Sequence, residues 1–294
     1  MSRPVNAPVQ RVRGTELRAA LTKALSAHFG KRRSIVTLER HPSAYRSSFA
    51  IEELHLCLED GTTLHLMFKD LSRQALLEGA RLAKPAFLYD PLREIQTYRA
   101  ILASEPLGAA TCYGAALDPQ AGRYWLFLEK VPGVELYQVG EFGIWQQVVC
   151  WLAAMHARFA GQAESLKQAA HLLTYDGDFY QLWMRRARAF LGQTKPSVPM
   201  SLRRRFERLA EGYDRVVESL LGLPVTFIHG EFYASNVLVQ ETGGELRVCP
   251  VDWEMAALGP GLIDLAALTT GRWTKDQRRS LALNYYAAIR PNDR

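Results

Sequence analysis

The sequence predicts an α+β protein with a β-rich N-terminal lobe and a helical C-terminal lobe, and three observations carry that reading. Before residue 131 the apolar residues mostly alternate with polar ones, the period of a half-buried strand. After residue 133 they fall at i, i+3 and i+4, the stripe of a packed helix. Pro132-Gly133 closes the last strand-like run of the first half, which makes 129–134 a hinge. The expected division is therefore 1–131, with a leading helix, and 132–294.

The elements follow in order. Leu17, Ala20, Leu21, Ala24, Leu25 and His28 share one helical face behind Thr15 as an expected cap. Leu54, Leu56 and Leu58 then alternate with polar neighbours, Asp60-Gly61 supplies a positive-φ turn, and Leu64, Leu66 and Phe68 resume the alternation as a hairpin. Asp90 before Pro91 reads as an N-cap followed by proline at the first helical position, opening a helix through Glu94, Ile95, Tyr98, Ile101 and Leu102. Strand-like runs at 110–116 and 124–131 flank a turn at 118–122. Three helical stripes come next, one from Trp145 to Phe159, one from Phe179 to Arg186, and one through Leu202, Phe206, Leu209, Tyr213, Val216, Val217 and Leu220. A β island at 225–239 and 246–251 turns at Gly243-Gly244. Helices over 262–270 and up to Ile289 close the chain, the last behind the capping box from Thr274 to Gln277.

Composition excludes several classes. With 294 residues, 48% hydrophobic and 22% charged, the chain is neither disordered nor fibrous. Cys57, Cys112, Cys150 and Cys249 are widely separated, which argues against a zinc ribbon, a redox dithiol or a disulfide framework. No uninterrupted apolar run reaches membrane-spanning length and the first residues lack a secretory pattern, so a soluble cytoplasmic protein with no membrane partner is expected. The net charge of +6 is spread along the chain, and its densest run, Arg203-Arg204-Arg205 with Arg208, reads as a solvated helix face. Without an aromatic-basic platform or a helix-turn-helix signature, a nucleic-acid partner is not expected.

Chemistry concentrates in the β island. His229-Gly230-Glu231-Phe232-Tyr233-Ala234-Ser235-Asn236 leads into the apolar run Val237-Leu238-Val239. A carboxylate five residues ahead of an amide on such a loop can receive a hydroxyl proton while the amide oxygen ligates a cation. Val251-Asp252-Trp253-Glu254 then ends an apolar run in an acid, a second hard oxygen donor of the kind magnesium prefers.

These segments resemble the aminoglycoside phosphotransferase and choline kinase-like family, relatives of the protein kinases that act on small molecules. His229 to Val239 is similar to the family's catalytic loop and following strand, and Val251 to Glu254 to its metal-binding segment. Gly259-Pro260-Gly261, Asp264-Leu265-Ala266 and the Trp151 to His156 helix resemble further family signatures. The resemblance implies a bilobal protein-kinase-like fold, with 1–131 binding nucleotide and 132–294 carrying the catalytic loop and acceptor-binding helices. It also implies transfer of the γ-phosphate of ATP or GTP, with Mg2+, to a hydroxyl of a small molecule. Glu231 becomes the catalytic base and Asn236 and Asp252 the metal ligands. Lys69 becomes the phosphate-contacting lysine and Glu94 its ion-pair partner, with a solvent-facing edge lysine as the other reading. The backbone of Leu128 to Val131, including Glu129 and Val131, becomes the adenine-reading hinge. His229 braces the loop and Asp264 is a scaffold acid that hydrogen-bonds it.

Two departures stand out. Glutamate occupies position 231 where the family has aspartate, extending the carboxylate by one methylene, so a catalytically impaired, nucleotide-binding pseudokinase is the alternative. Between Leu38 and Phe49 there is no glycine, and Ser47 and Ser48, with Arg46 nearby, stand in as nucleotide contacts at the expected hairpin tip. For the acceptor, residues 160–224 hold ten Lys/Arg against seven Asp/Glu, a balance that disfavours a strongly cationic substrate. Tyr175, Phe179, Tyr180 and Trp183 are either core or the lining of a site for a neutral hydroxylated molecule. A protein kinase is disfavoured, because only Trp253 to Gly261 separate Asp252 from the next helix.

Overall fold

A computed structural model of the chain describes residues 12–45, 48–105, 107–193 and 198–289. In chain order these form α1 (Gly14–His28), β1 (Ile35–Pro42), β2 (Ile51–Leu58), β3 (Thr63–Asp70), α2 (Glu78–Ala83), α3 (Pro91–Gln96), β4 (Cys112–Asp118), β5 (Arg123–Glu129) and β6 (Val134–Glu135). There follow α4 (Phe142–Phe159), α5 (Ala163–Ala169), β7 (Leu173–Thr174), α6 (Gly177–Gln193), α7 (Met200–Leu221) and β8 (Val225–Ile228). The remainder is β9 (Val237–Thr242), β10 (Glu245–Pro250), β11 (Ala257–Pro260), α8 (Leu262–Leu268) and α9 (Lys275–Ile289). The chain forms two compact units. One takes the described residues up to Gly140 together with Gln168–His171 and Ala234–Met255, and the other takes Glu141–Lys167, Leu172–Tyr233 and the described residues from Ala256 on.

The first unit is built on an antiparallel sheet in the order β1-β2-β3-β5-β4. Strand alternation gives the sheet two chemically different faces. Leu54, Leu56, Leu58, Leu66, Phe68, Trp125 and Phe127 join Leu17, Leu21 and Leu25 of α1 in one core. Gly114 lets that helix approach, since a Cβ there would lie 2.9 Å from the Cβ of Ala24. The opposite face carries Ile51, Met67 and Lys69. Gly61, at φ 81°, closes the β2–β3 hairpin at the turn the sequence marks.

Local departures from the sequence reading have local causes. Thr15 is not the cap of α1: Arg13 holds that position without a side-chain hydrogen bond, and Thr15 lies inside the helix. Asp90 does cap α3, its Oδ1 accepting from Leu92 N at 2.9 Å, but the helix runs into a π turn over Thr97–Ile101. Glu39 to Pro42 belong to the edge strand β1, whose mostly exposed residues hide the alternation that betrays β2. A second, small sheet orders β10-β9-β6. Its β9–β10 hairpin, turning at Gly243 and Gly244 with φ 62° and 86°, carries Asn236 just before it and Asp252 just after it.

In the second unit α4 packs against α9, α6 against α7, and the short strands order as β7-β11-β8. The stripe expected to bury α7 is only partly buried. Val217 and Ala210 are enclosed, whereas Leu202, Leu209 and Val216 are more than half exposed. The arginines of that helix are exposed, as a solvated face requires. All four cysteines are free thiols. Among the described residues no helix is long and apolar enough to cross a membrane.

Candidate active site

A cavity of about 710 Å³ opens in the first unit on the sheet face away from α1. Ile51, Met67 and Leu128 give it an apolar wall, and Lys69, Asn236 and Asp252 a polar one. Lys69 is buried on β3, and its ammonium donates to Glu94 Oε1 at 2.7 Å, Glu94 Oε2 at 2.9 Å and Asp252 Oδ1 at 2.7 Å. The solvent-facing reading of this lysine is thereby overturned. Burial alone would depress its pKa, but the two carboxylates outweigh that and hold it above the ordinary lysine value. Two carboxylates share one ammonium, so one of them lacks a full counter-charge. Glu94, fully enclosed, carries that deficit: burial and the charge of Asp252 push its pKa up to about 7 against the pull of Lys69.

Asp252 is also the sole non-glycine among the described residues with a positive φ, at 67°. Such a conformation costs about 1–3 kcal/mol and persists where surrounding contacts enforce it. Here the ammonium holds the carboxylate, and Val251 N donates to Asn236 O at 2.8 Å, tying the segment before Asp252 to the end of the loop. Asn236 and Asp252 are thus brought to one cavity wall, as two hard oxygen donors.

Glu129 and Val131 also line the cavity. The Glu129 side chain is committed elsewhere, accepting two 2.8 Å bonds from the Arg247 guanidinium of β10 and two from Thr111, through its backbone N–H and its hydroxyl. Burial works against that carboxyl, yet these partners keep its pKa below the usual range. Ser48 is not on the cavity wall. Its hydroxyl donates to Glu254 Oε1 at 2.7 Å and accepts from Lys84, which also reaches Glu254 Oε2 at 2.5 Å. This polar knot holds Ser48 where the segment after β1 folds back to a bridge between Phe49 and Leu76. Ser47 and Arg46 lie outside the described residues.

The loop of the second unit is fixed from beneath by Asp264, fully buried in the first turn of α8. Its Oδ2 accepts from His229 N at 2.6 Å and its Oδ1 from Gly230 N at 2.9 Å. His156 links Asp264 to Tyr285, with ring nitrogens 3.3 Å from Oδ2 and 2.7 Å from the phenol oxygen. Gly261 is required here, since a Cβ would fall 2.6 Å from His156 Nδ1. His229 is buried and its Nδ1 accepts from Glu231 N at 3.3 Å, the bracing role expected of it. Glu231 itself is half-buried, and its charge raises the pKa of the Tyr175 phenol after burial and Asp264. Tyr175 and Tyr180 are core residues, while Phe179 stacks on Tyr175 at 4.1 Å and Trp183 is partly exposed.

Sequence reasoning missed four residues. Tyr98 lines the cavity, and its buried hydroxyl has no hydrogen-bond partner among the described residues. The π turn that presents it leaves no mark in the hydrophobic period. Arg93, buried, donates to the carbonyls of Leu88, His171 and Glu254, joining α3 to the segment after Asp252. Lys84 and Arg247 complete the knots at Glu254 and Glu129. A charged residue beside an apolar run was the available signal for Arg93, but its acceptors are carbonyls, which no sequence pattern announces.

The family model described as the phosphotransferase enzyme family matches residues 80–294. The chain belongs to that family. A search of the curated proteins finds no match. Among solved structures, the chain is similar to the choline kinase LicA of Streptococcus pneumoniae, at 13% identity and TM-score 0.54, covering 92% of this chain and 80% of that one. It is also similar to an aminoglycoside phosphotransferase of Streptomyces rimosus in complex with ADP and streptomycin, at 14% identity, TM-score 0.53 and 85% of each chain. A third is an aminoglycoside phosphotransferase in complex with GDP and kanamycin, at 13% identity and TM-score 0.57, covering 90% of this chain and 82% of that one. At these identities the likeness is one of fold: a β-sheet N-terminal region and a helical C-terminal region, as kinase-like phosphotransferases have. Lys69 precedes the matched residues, so its assignment rests on its contacts.

Proposed function

We propose that this family member transfers the γ-phosphate of ATP or GTP to a hydroxyl of a small molecule, and that the cavity of the first unit receives the nucleotide. One observation carries the reading. A buried lysine is held between Glu94 and Asp252 on a cavity wall that also presents Asn236. Neighbours crystallised with ADP or GDP support a nucleotide co-substrate.

In this reading Lys69 contacts phosphate oxygens, and Glu94 keeps its ammonium oriented and charged. The apolar wall of Ile51, Met67 and Leu128 takes the base, read by the backbone from Leu128 to Val131. The donor set of Asn236 and Asp252, amide and carboxylate oxygens, suits Mg2+, which when bound neutralises charge on the phosphates. Glu231 receives the proton of the acceptor hydroxyl or orients it. Asp264 fixes the backbone from which Glu231 projects. Half-buried Phe179 and the more exposed Trp183 of the second unit are aromatic residues available to an acceptor. The four free thiols accord with a reducing, cytoplasmic setting. Glutamate in place of aspartate at position 231 favours a second reading, a nucleotide-binding pseudokinase.

The test is ADP or GDP release over a panel of hydroxylated metabolites and antibiotics, with and without magnesium. The proposal expects acceptor-dependent release that requires magnesium. Glu231→Gln should lower kcat about 100-fold or more while leaving nucleotide affinity intact. Nucleotide binding with no release for any acceptor would favour the pseudokinase, and equal turnover in Glu231→Gln would remove Glu231 from the mechanism.

A further inference from the structure

We propose that Glu39, His41 and His55 form a binding site for a divalent transition-metal ion of the zinc class. Their donor atoms all lie within 4.8 Å of one another. The arrangement follows from strand pairing. Glu39 of β1 stands opposite His55 of β2, and His41 lies two residues along β1, so all three project from one face of the sheet. His41 Nε2 is 3.7 Å from Glu39 Oε2, and the His41 and His55 rings are 5.1 Å apart.

A second observation points to a ligand. His55 Nε2 is buried without a hydrogen-bond partner among the described residues, a condition that buried polar atoms rarely keep. His65 of β3 stacks on His55 with centroids 4.5 Å apart and planes 13° from parallel, which holds the imidazole in place from the other side. Two imidazoles and a carboxylate are a zinc donor set, with metal–ligand distances of about 2.0–2.2 Å. Donors around such an ion sit roughly 3.3 Å apart, so small rotations of the exposed Glu39 and His41 side chains close the site. Imidazole nitrogen selects zinc, nickel or copper, whereas the oxygens of Asn236 and Asp252 suit magnesium. Glu53, which stands opposite His41 across the β1–β2 pair, is itself paired with Lys130. An ion held there would pin the edge strand β1 to β2.

Metal-stripped protein is titrated calorimetrically with zinc, and thermal unfolding is followed with and without it. One equivalent should bind and raise the unfolding temperature. His41→Ala should weaken binding about tenfold or more, and the double variant Glu39→Gln with His41→Ala should abolish both the stoichiometric uptake and the thermal shift. Both positions are exposed, so these variants retain the fold. Failure of the wild type to take up one equivalent, or unchanged affinity in the double variant, would overturn the proposal. Neither result bears on the nucleotide cavity.

Discussion

Asp264→Asn tests the idea that one buried carboxylate sets the backbone of the loop. Asp264, fully buried, accepts from two backbone amides and lies beside the buried His156. Hydrogen bonds to a charged group contribute about 1.5–3 kcal/mol each, and a buried amide left without an acceptor costs about 1–3 kcal/mol. Asparagine keeps one oxygen and turns an NH2 towards the second amide, so one bond is lost and one donor meets another. The expected loss is about 3–5 kcal/mol, or a fall in Tm of roughly 5–8 °C for a chain of this size. Thermal unfolding followed by far-UV circular dichroism reads it, and turnover measured well below the new Tm should fall as Glu231 loses its fixed backbone. A shift under about 2 °C would refute the assignment, because the two amides would then be satisfied without this carboxylate.

Other outcomes follow from the same contacts. Lys69→Met removes the cation shared by Glu94 and Asp252, so nucleotide titration should show a loss of affinity of about 100-fold or more. Glu94, with a folded pKa of about 7 against an ordinary value of 4.5, binds its proton more tightly folded than unfolded. Stability of the ligand-free protein should therefore decline as pH rises from about 4.5 to about 7, and Glu94→Gln should flatten that decline in denaturant titrations at each pH. Gly261→Ala would drive a methyl group against His156 and Tyr285 at 2.6 and 2.7 Å, and should cost about 1–3 kcal/mol in thermal unfolding.

Much of the candidate site is legible in the sequence. The pairing of Lys69 with Glu94 came from the resemblance, and the apolar pattern around Lys69 added only that a lysine buried there needs a partner. His229 and Asp264 could be read as bracing and scaffold residues from the resemblance of their segments, and both are buried and hydrogen-bonded as that requires. Ser48 could not be read in this way. A serine in a glycine-free connection looks equally like a phosphate contact and a polar filler, and its bond to Glu254 spans 206 positions. The π turn at Thr97–Ile101 was likewise invisible, since a single extra residue shifts the helical face without interrupting the apolar stripe.

The sequence by itself determined the kinds of element, their order, the hairpin at Gly61, the capping box at Thr274 and the chemical identity of the donors. These depend on neighbours within a few positions, where periodicity and turn stereochemistry act directly. Only the tertiary structure decided that Asp252 shares the ammonium of Lys69 across 183 positions, that Glu129 is claimed by Arg247, and that α7 leaves half of its apolar stripe in solvent. A residue's period says that it can be buried or paired. Which group it meets is set by where distant strands return, and in this chain the β9–β10 hairpin returns Asn236 and Asp252 to the unit that holds Lys69.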